Sequence, residues 1–152
     1  MALSAARFFS LLFAALALAP ALAHLLELPN KIGLSRDDYL TVQQIYRGWA
    51  VLGFVVAGAL LSTLVLTIMV RKRRREFVPT LIAFLCIVGT QVVFWTFTFP
   101  ANQQTANWTM LPDNWMALRA QWEYSHAASA LLNLIAVIAL IFSVTARSKE
   151  HP

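Results

Sequence analysis

Residues 48–99 read GWAVLGFVVAGALLSTLVLTIMV, then RKRRRE, then FVPTLIAFLCIVGTQVVFWTFTF. The two apolar pieces, 48–70 and 77–99, contain no Asp, Glu, Lys or Arg. Each can cross a hydrocarbon core about 30 Å thick, which takes about 20 helical residues. The basic run Arg71 to Arg75 between them is too costly to bury in lipid, so the chain turns there and comes back. A third run, 124–146, holds His126 as its sole ionisable group near neutral pH. Of the 152 residues 59% are hydrophobic and 12% charged, with a mean hydropathy of +0.65, which leaves too little polar surface to clothe a water-soluble domain.

The first apolar stretch, 8–26, has two readings. Arg7, a short apolar centre and the ending Pro20-Ala21-Leu22-Ala23 fit a secretory signal cut before His24. Continuation of the run through Leu25, Leu26 and Leu28 fits a retained span, and we take it as one. The fold expected is all-α: an integral membrane antiparallel four-helix bundle, one domain over 1–152, with spans at about 6–28, 47–70, 77–99 and 124–146. Arg7, the five residues 71–75, Arg147 and Lys149 place eight of the twelve Lys and Arg on one side. Short cytoplasmic loops carry such an excess, so a bacterial inner (cytoplasmic) membrane protein with both termini cytoplasmic is expected. The net charge of +5 is then a topology signal that calls for no nucleic-acid partner. Its first partner is the lipid bilayer.

The loops on the other side are expected to carry short interfacial helices. Ser35 with Asp38 resembles a helix start, followed by Tyr39, Val42 and Ile45 or Tyr46 on one face, before Arg47 and span two. In the second loop Trp108, Trp115 and Trp122 recur every seventh residue. Asp113 is positioned to cap a helix on which Trp115, Leu118 and Trp122 share a face, with Arg119 and Glu123 four apart on another. Tryptophan favours the headgroup level, and the two loops are expected to form a lid. The single Cys86 lies within span three and reads as a small apolar side chain. No C-x-x-C, Gly-rich phosphate loop or G-x-S-x-G elbow occurs, so thiol redox chemistry, phosphate cradling and serine hydrolysis have no support.

Two mirrored pairs stand out. His24 and Glu27 close the first run, Glu123 and His126 open the last, and in a four-span chain both fall on one side with each imidazole about one turn deeper than its carboxylate. Deeper still, Gln91 and Asn133 sit at similar levels, within reach of one another, with Gln91 and Trp95 on one face of span three. Gly53 with Ala57 and Gly58 with Ser62 favour close helix packing. As chemistry, the set His24, Glu27, Glu123 and His126 suits a transition metal, although the additional helix carboxylates of soluble di-iron bundles are missing. A bis-histidine haem is open too, as is a cofactor-free network pairing these groups with each other or with Arg47 and Arg119.

The stretch FWTFTFPANQQTANWT, followed by PDNWMALRAQWEYSH, resembles the bacterial branch of the anthrone-oxygenase-like family of small four-helix membrane proteins, a domain-of-unknown-function family. HLLELPNK and QIYRGW are similar to it as well, so the resemblance covers nearly the whole chain. What it implies residue by residue is a polar set at Asn102, Asn107, Trp115, Arg119, Trp122, Glu123 and His126. What it implies for activity is oxidation of a lipophilic aromatic small molecule. Three classes follow. The first is a membrane oxidoreductase, an oxygenase in the chemical sense, with His126, Glu123, His24 and Glu27 catalytic and Arg47, Gln91, Trp95, Asn102, Asn107, Trp115, Arg119, Trp122 and Asn133 around the substrate. The second is a non-catalytic binder of a metal, a haem or a lipophilic ligand. The third is an accessory subunit whose tryptophan lid docks a membrane protein partner or a second copy as a homo-oligomer.

Overall fold

A computed structural model describes residues 1–146, and the regular elements among them are helical. The helices are α1 Ala2–Lys31, α2 Arg36–Gln43, α3 Leu52–Val70, α4 Arg74–Val93, α5 Phe99–Gln104 and α6 Trp115–Thr145. Two 3-10 turns, Gln44–Tyr46 and Trp49–Val51, lead from α2 into α3, and a π-helical turn, Phe94–Thr98, joins α4 to α5. Four stretches are long and apolar enough to cross a membrane: Ala2–Lys31, Trp49–Val70, Arg74–Gln104 and Trp115–Thr145. The protein is an all-α bundle of the multi-pass membrane type. Arg147 and Lys149, counted above toward the basic side, lie outside the described residues.

Neighbours in the bundle are α1 with α3 and α6, and α4 with α3 and α6, so consecutive spans run antiparallel around a closed square. The interior is built from small side chains: Ala14, Ala59, Ala83, Ala136 and Ala139 alternate with Leu66, Val70, Ile87 and Leu140. Without a hydrophobic drive between helices in lipid, such small contacts let backbones approach and gain dispersion energy. Large side chains point outward, among them Phe54, Leu61, Val92 and Phe142, as lipid contact requires. Gly58 meets the Phe13 ring so closely that an added Cβ would sit 2.7 Å from it, whereas Gly53 has open space. Only the second of the two small-residue spacings read from the sequence, Gly58 with Ser62, is therefore a close approach.

One end of the bundle is basic and the other aromatic. At the basic end Arg7 Nη2 meets Glu76 Oε2 at 2.6 Å, and Thr80 and Ser143 hydroxyls bond at 2.7 Å, with Ser143 also donating to the Glu76 carbonyl at 3.0 Å. These contacts tie α1, α4 and α6 together beside the exposed run 71–75.

At the aromatic end three expectations need correction. Span three does not stop at 99: it continues through Pro100 to Gln104. Proline cannot donate a backbone bond and its ring collides with the carbonyl four residues earlier, here Thr96. The π turn widens the helix at that residue and Pro100 enters α5 in its first turn, where no donor is needed. Nor is the second loop helix a separate element, because Trp115 begins α6, which runs unbroken into span four. Asp113 is not its cap; Asn114 holds that position without a side-chain cap bond. By contrast Ser35 caps α2 as expected, its Oγ accepting from the Asp38 N–H at 3.3 Å. Gly48, at φ +88°, supplies the left-handed residue that reverses the chain between the two 3-10 turns.

The antiparallel order makes a first testable outcome. In a Cys86→Ala background, Lys72→Cys and Asp113→Cys are expected to react with a membrane-impermeant maleimide from opposite faces of sealed vesicles. Reaction from the same face would overturn the four-span path.

Candidate functional site

At the aromatic end α1, α2, the first 3-10 turn and α6 converge. His24 on α1 and His126 on α6 stack with ring centroids 4.1 Å apart and planes inclined by 28°. Adjacent antiparallel helices carrying His24 before Glu27 and Glu123 before His126 bring both imidazoles to one level, as the mirrored spacing requires. Around the pair stand Tyr46 at 4.5 Å, Trp49 at 5.6 Å and Trp122 at 5.0 Å from the His24 ring, with Trp122 also 4.2 Å from His126. His24 Nδ1 is buried and has no hydrogen-bond partner among the described residues. A buried polar atom in that condition calls for a partner, which a water, a proton or a ligand can supply.

The carboxylates are held elsewhere in the same cluster, and by a residue that motif reading passed over. Lys31 is 4% exposed, and its Nζ lies 3.0 Å from Glu123 Oε1 and 3.8 Å from Glu27 Oε2. It also sits over the rings of Tyr46 and Trp122, 4.5 and 4.9 Å from their centroids. Glu123, 0% exposed, further accepts from Tyr39 Oη at 2.9 Å, and Tyr39 in turn accepts from Gln43 Nε2 at 2.5 Å. Lys31 Nζ donates to Tyr46 Oη at 2.8 Å, and Tyr46 donates to Glu27. Burial, reinforced by the Glu123 charge and hydrogen bond, pushes the Tyr39 phenol well above the ordinary tyrosine range. Burial and the bond to Glu27 do the same for Tyr46. Both phenols therefore stay protonated donors. Lys31 was legible in part: it lies four residues after Glu27 and seven after His24, on their helical face.

The metal set His24, Glu27, Glu123 and His126 is not assembled as a ligand group in this geometry. Among the described residues no group of three or more His, Cys, Asp or Glu is placed to hold a metal ion. The reason is electrostatic: the Lys31 ammonium occupies the point on which the two carboxylates converge, and a second cation there is repelled. A bis-histidine haem does not fit either, because axial ligands must leave room between them for the porphyrin, and these two rings lie against each other. The alternative network of imidazoles with carboxylates, Arg47 or Arg119 is also not what forms; the carboxylates pair with Lys31 and the phenols.

The remaining predicted site residues divide sharply. Asn102 Oδ1 accepts two indole N–H groups, Trp122 Nε1 at 2.8 Å and Trp108 Nε1 at 3.1 Å, and so fastens the loop 105–114 onto α6. That loop contains three successive left-handed residues, Ala106, Asn107 and Trp108, at φ 47°, 56° and 60°. The Asn107 N–H donates to the Asn102 carbonyl at 2.7 Å while its side chain is exposed. Arg119 donates to the Leu34 carbonyl at 2.8 Å and lies over Trp115, 4.6 Å from its centroid. Arg36 reaches the Leu111 carbonyl from the opposite side. Trp115 itself packs against the buried cluster of Tyr39, Ala101, Trp108, Leu111, Leu118 and Trp122. These residues build a closed lid rather than line a cleft.

Arg47, Trp95 and Gln91 do not join the site. Arg47 is exposed and bonds Gln44 Oε1 at 2.9 Å. Trp95 is 60% exposed and packs on Phe94 and Phe99 on the outer surface. Gln91 donates to Thr90 Oγ1 at 3.2 Å, and no bond links it to Asn133 among the described residues, although Asn133 is buried. Equal depth fixed their level and left their rotation about the helix axes open. In comparisons with known proteins, no family model, no curated protein and no solved structure matches the chain.

Proposed function

We propose that the chain is a membrane oxidoreductase of the anthrone-oxygenase-like type, acting on a flat, lipophilic, hydroxylated aromatic molecule that enters from the bilayer. The observation that carries this reading is the stacked His24–His126 pair, walled by Tyr46, Trp49 and Trp122, with His24 Nδ1 buried and unpartnered among the described residues. Aromatic walls favour a flat aromatic guest through stacking. A neutral imidazole nitrogen is the natural acceptor for the acidic C–H proton of an anthrone. The resulting anion reacts with dioxygen; one oxygen atom becomes the new carbonyl, and the other leaves as water, taking up two protons from solvent in place of the two that carbon gives up to base. In this reading the basic end faces the cytoplasm, both termini are cytoplasmic, and the membrane is a bacterial inner membrane.

The tightly fastened lid favours a second reading, non-catalytic binding of the same kind of molecule. One assay separates the two. Purified protein is mixed with anthrone in air-saturated detergent buffer while oxygen uptake and quinone absorbance are followed. The oxidoreductase reading expects acceleration of about a hundredfold over the protein-free reaction, abolished in His126→Ala with the fold retained. Quenching of tryptophan fluorescence by anthrone without oxygen uptake would move the conclusion to a binder, and neither effect would reject both.

A further inference from the structure

Lys31 requires one carboxylate for neutrality, yet two reach it. Glu123 alone, fully buried and 3.0 Å away, supplies the counter-charge that a buried ammonium needs. Glu27 adds a second negative charge whose side chain is 36% exposed. From that exposed carboxylate an unbroken series of donors and acceptors leads inward: Glu27 to Tyr46 Oη, Tyr46 Oη to Lys31 Nζ at 2.8 Å, Lys31 Nζ to Glu123 Oε1 at 3.0 Å. The inner end of the series is open. Glu123 Oε2 and His24 Nδ1 are both buried, and neither has a hydrogen-bond partner among the described residues.

We propose that Glu27 is the outlet of a proton path by which protons taken up at the His24–His126 pair leave for water through Glu123, Lys31 and Tyr46. The proposal rests on the oxidoreductase reading for the origin of the proton and adds how the site is reset. Each transfer balances. Tyr46 passes its phenolic proton to Glu27 and takes one from the Lys31 ammonium; Glu27 releases its proton to water. Lys31 regains a proton from Glu123, which has received it from the imidazolium, the two unpartnered atoms being the ends of that transfer. The net change is one proton moved from His24 to solvent, with every other group restored. The three junctions from Glu27 to Glu123 are within the distance over which general acids and bases exchange protons. The other groups facing this path are Tyr39 and Gln43 from α2 and Arg119 from α6. Tyr39 bonds Glu123, and Gln43 bonds Tyr39. Arg119 is engaged by the Leu34 carbonyl and the Tyr39 and Trp115 rings, so it neither donates to nor blocks the series. Glu27 is thus a positioning residue, acting on the reaction only through the imidazoles.

The test needs no substrate. The protein is labelled with 15N-histidine, and exchange of the imidazole N–H protons with water is measured by NMR in wild type, Glu27→Gln and Glu27→Asp. The path expects exchange at His24 to slow about tenfold or more in Glu27→Gln, with its chemical shifts unmoved, and to recover in Glu27→Asp. Unchanged exchange in Glu27→Gln overturns the proposal, as does slowing accompanied by displaced His24 resonances, which would mark a structural role. An inactive protein that shows the slowed exchange would reject the oxygenase reading alone. An active protein with unchanged exchange would reject the path alone.

Discussion

Lys31→Met is expected to cost about 3 to 5 kcal/mol of stability. Methionine keeps the length of the stem and its packing under Tyr46 and Trp122, so the loss is that of the charge. Glu123 is then a carboxylate with no solvent contact, left with Tyr39 as its remaining donor among the described residues. Glu27, being partly exposed, turns to water and suffers less. Thermal unfolding in detergent, followed by circular dichroism, reads the loss. The double variant Lys31→Met, Glu123→Gln is expected to recover most of it, because removing a buried ion pair as a whole is often close to neutral while removing one partner is not. An unfolding temperature equal to wild type in the single variant would show that Glu123 does not depend on the ammonium.

Asn102→Leu is the second large effect, and a local one. Its Oδ1 is the acceptor for two indole N–H groups, and leucine, close to it in shape, accepts neither. Each donor left buried and unpaired costs about 1 to 3 kcal/mol, so the lid loses roughly 2 to 6 kcal/mol in total. The bundle interior is a separate cluster of α1, α3, α4 and α6 residues and does not share that loss. Backbone hydrogen exchange is therefore expected to quicken across 105–114 and α2 while α3 stays as protected as before. Uniform loss of protection would mean that lid and bundle open as one unit.

The spans were legible because lipid imposes a simple rule: a charge-free run of sufficient length must be a helix, and a basic run must lie outside. The meeting of His24 and His126 was legible for the same reason, since two helices that run in opposite directions through one slab bring their outer ends to one level. Lys31 was not. Following Pro29 and Asn30 at the end of an apolar run, it has the pattern of an interfacial cation, and only the folding of α2 over it, through Tyr39 and Gln43, makes it interior. The extent of α6 was hidden because Arg119, Gln121 and Glu123 lower the hydropathy of its first turns, and Pro112-Asp113-Asn114 resembles the punctuation of a separate helix. The π turn before Pro100 has no composition signal, because it arises from the backbone's need to avoid the proline ring.

The unbroken α6 has a mechanical consequence. Its 31 residues make a rod of about 46 Å, some 16 Å longer than the hydrocarbon it crosses. The excess carries Trp115, Leu118 and Trp122, so these side chains cannot swing as a flap; they move only when the whole rod leans. Lean is the response of a helix to the thickness of its membrane. A thinner bilayer tilts α6 further and levers its aromatic end across α1, changing the overlap of the two imidazole rings. The overlap of the two rings is thereby expected to vary with phospholipid chain length, which tryptophan fluorescence in bilayers of graded thickness reads.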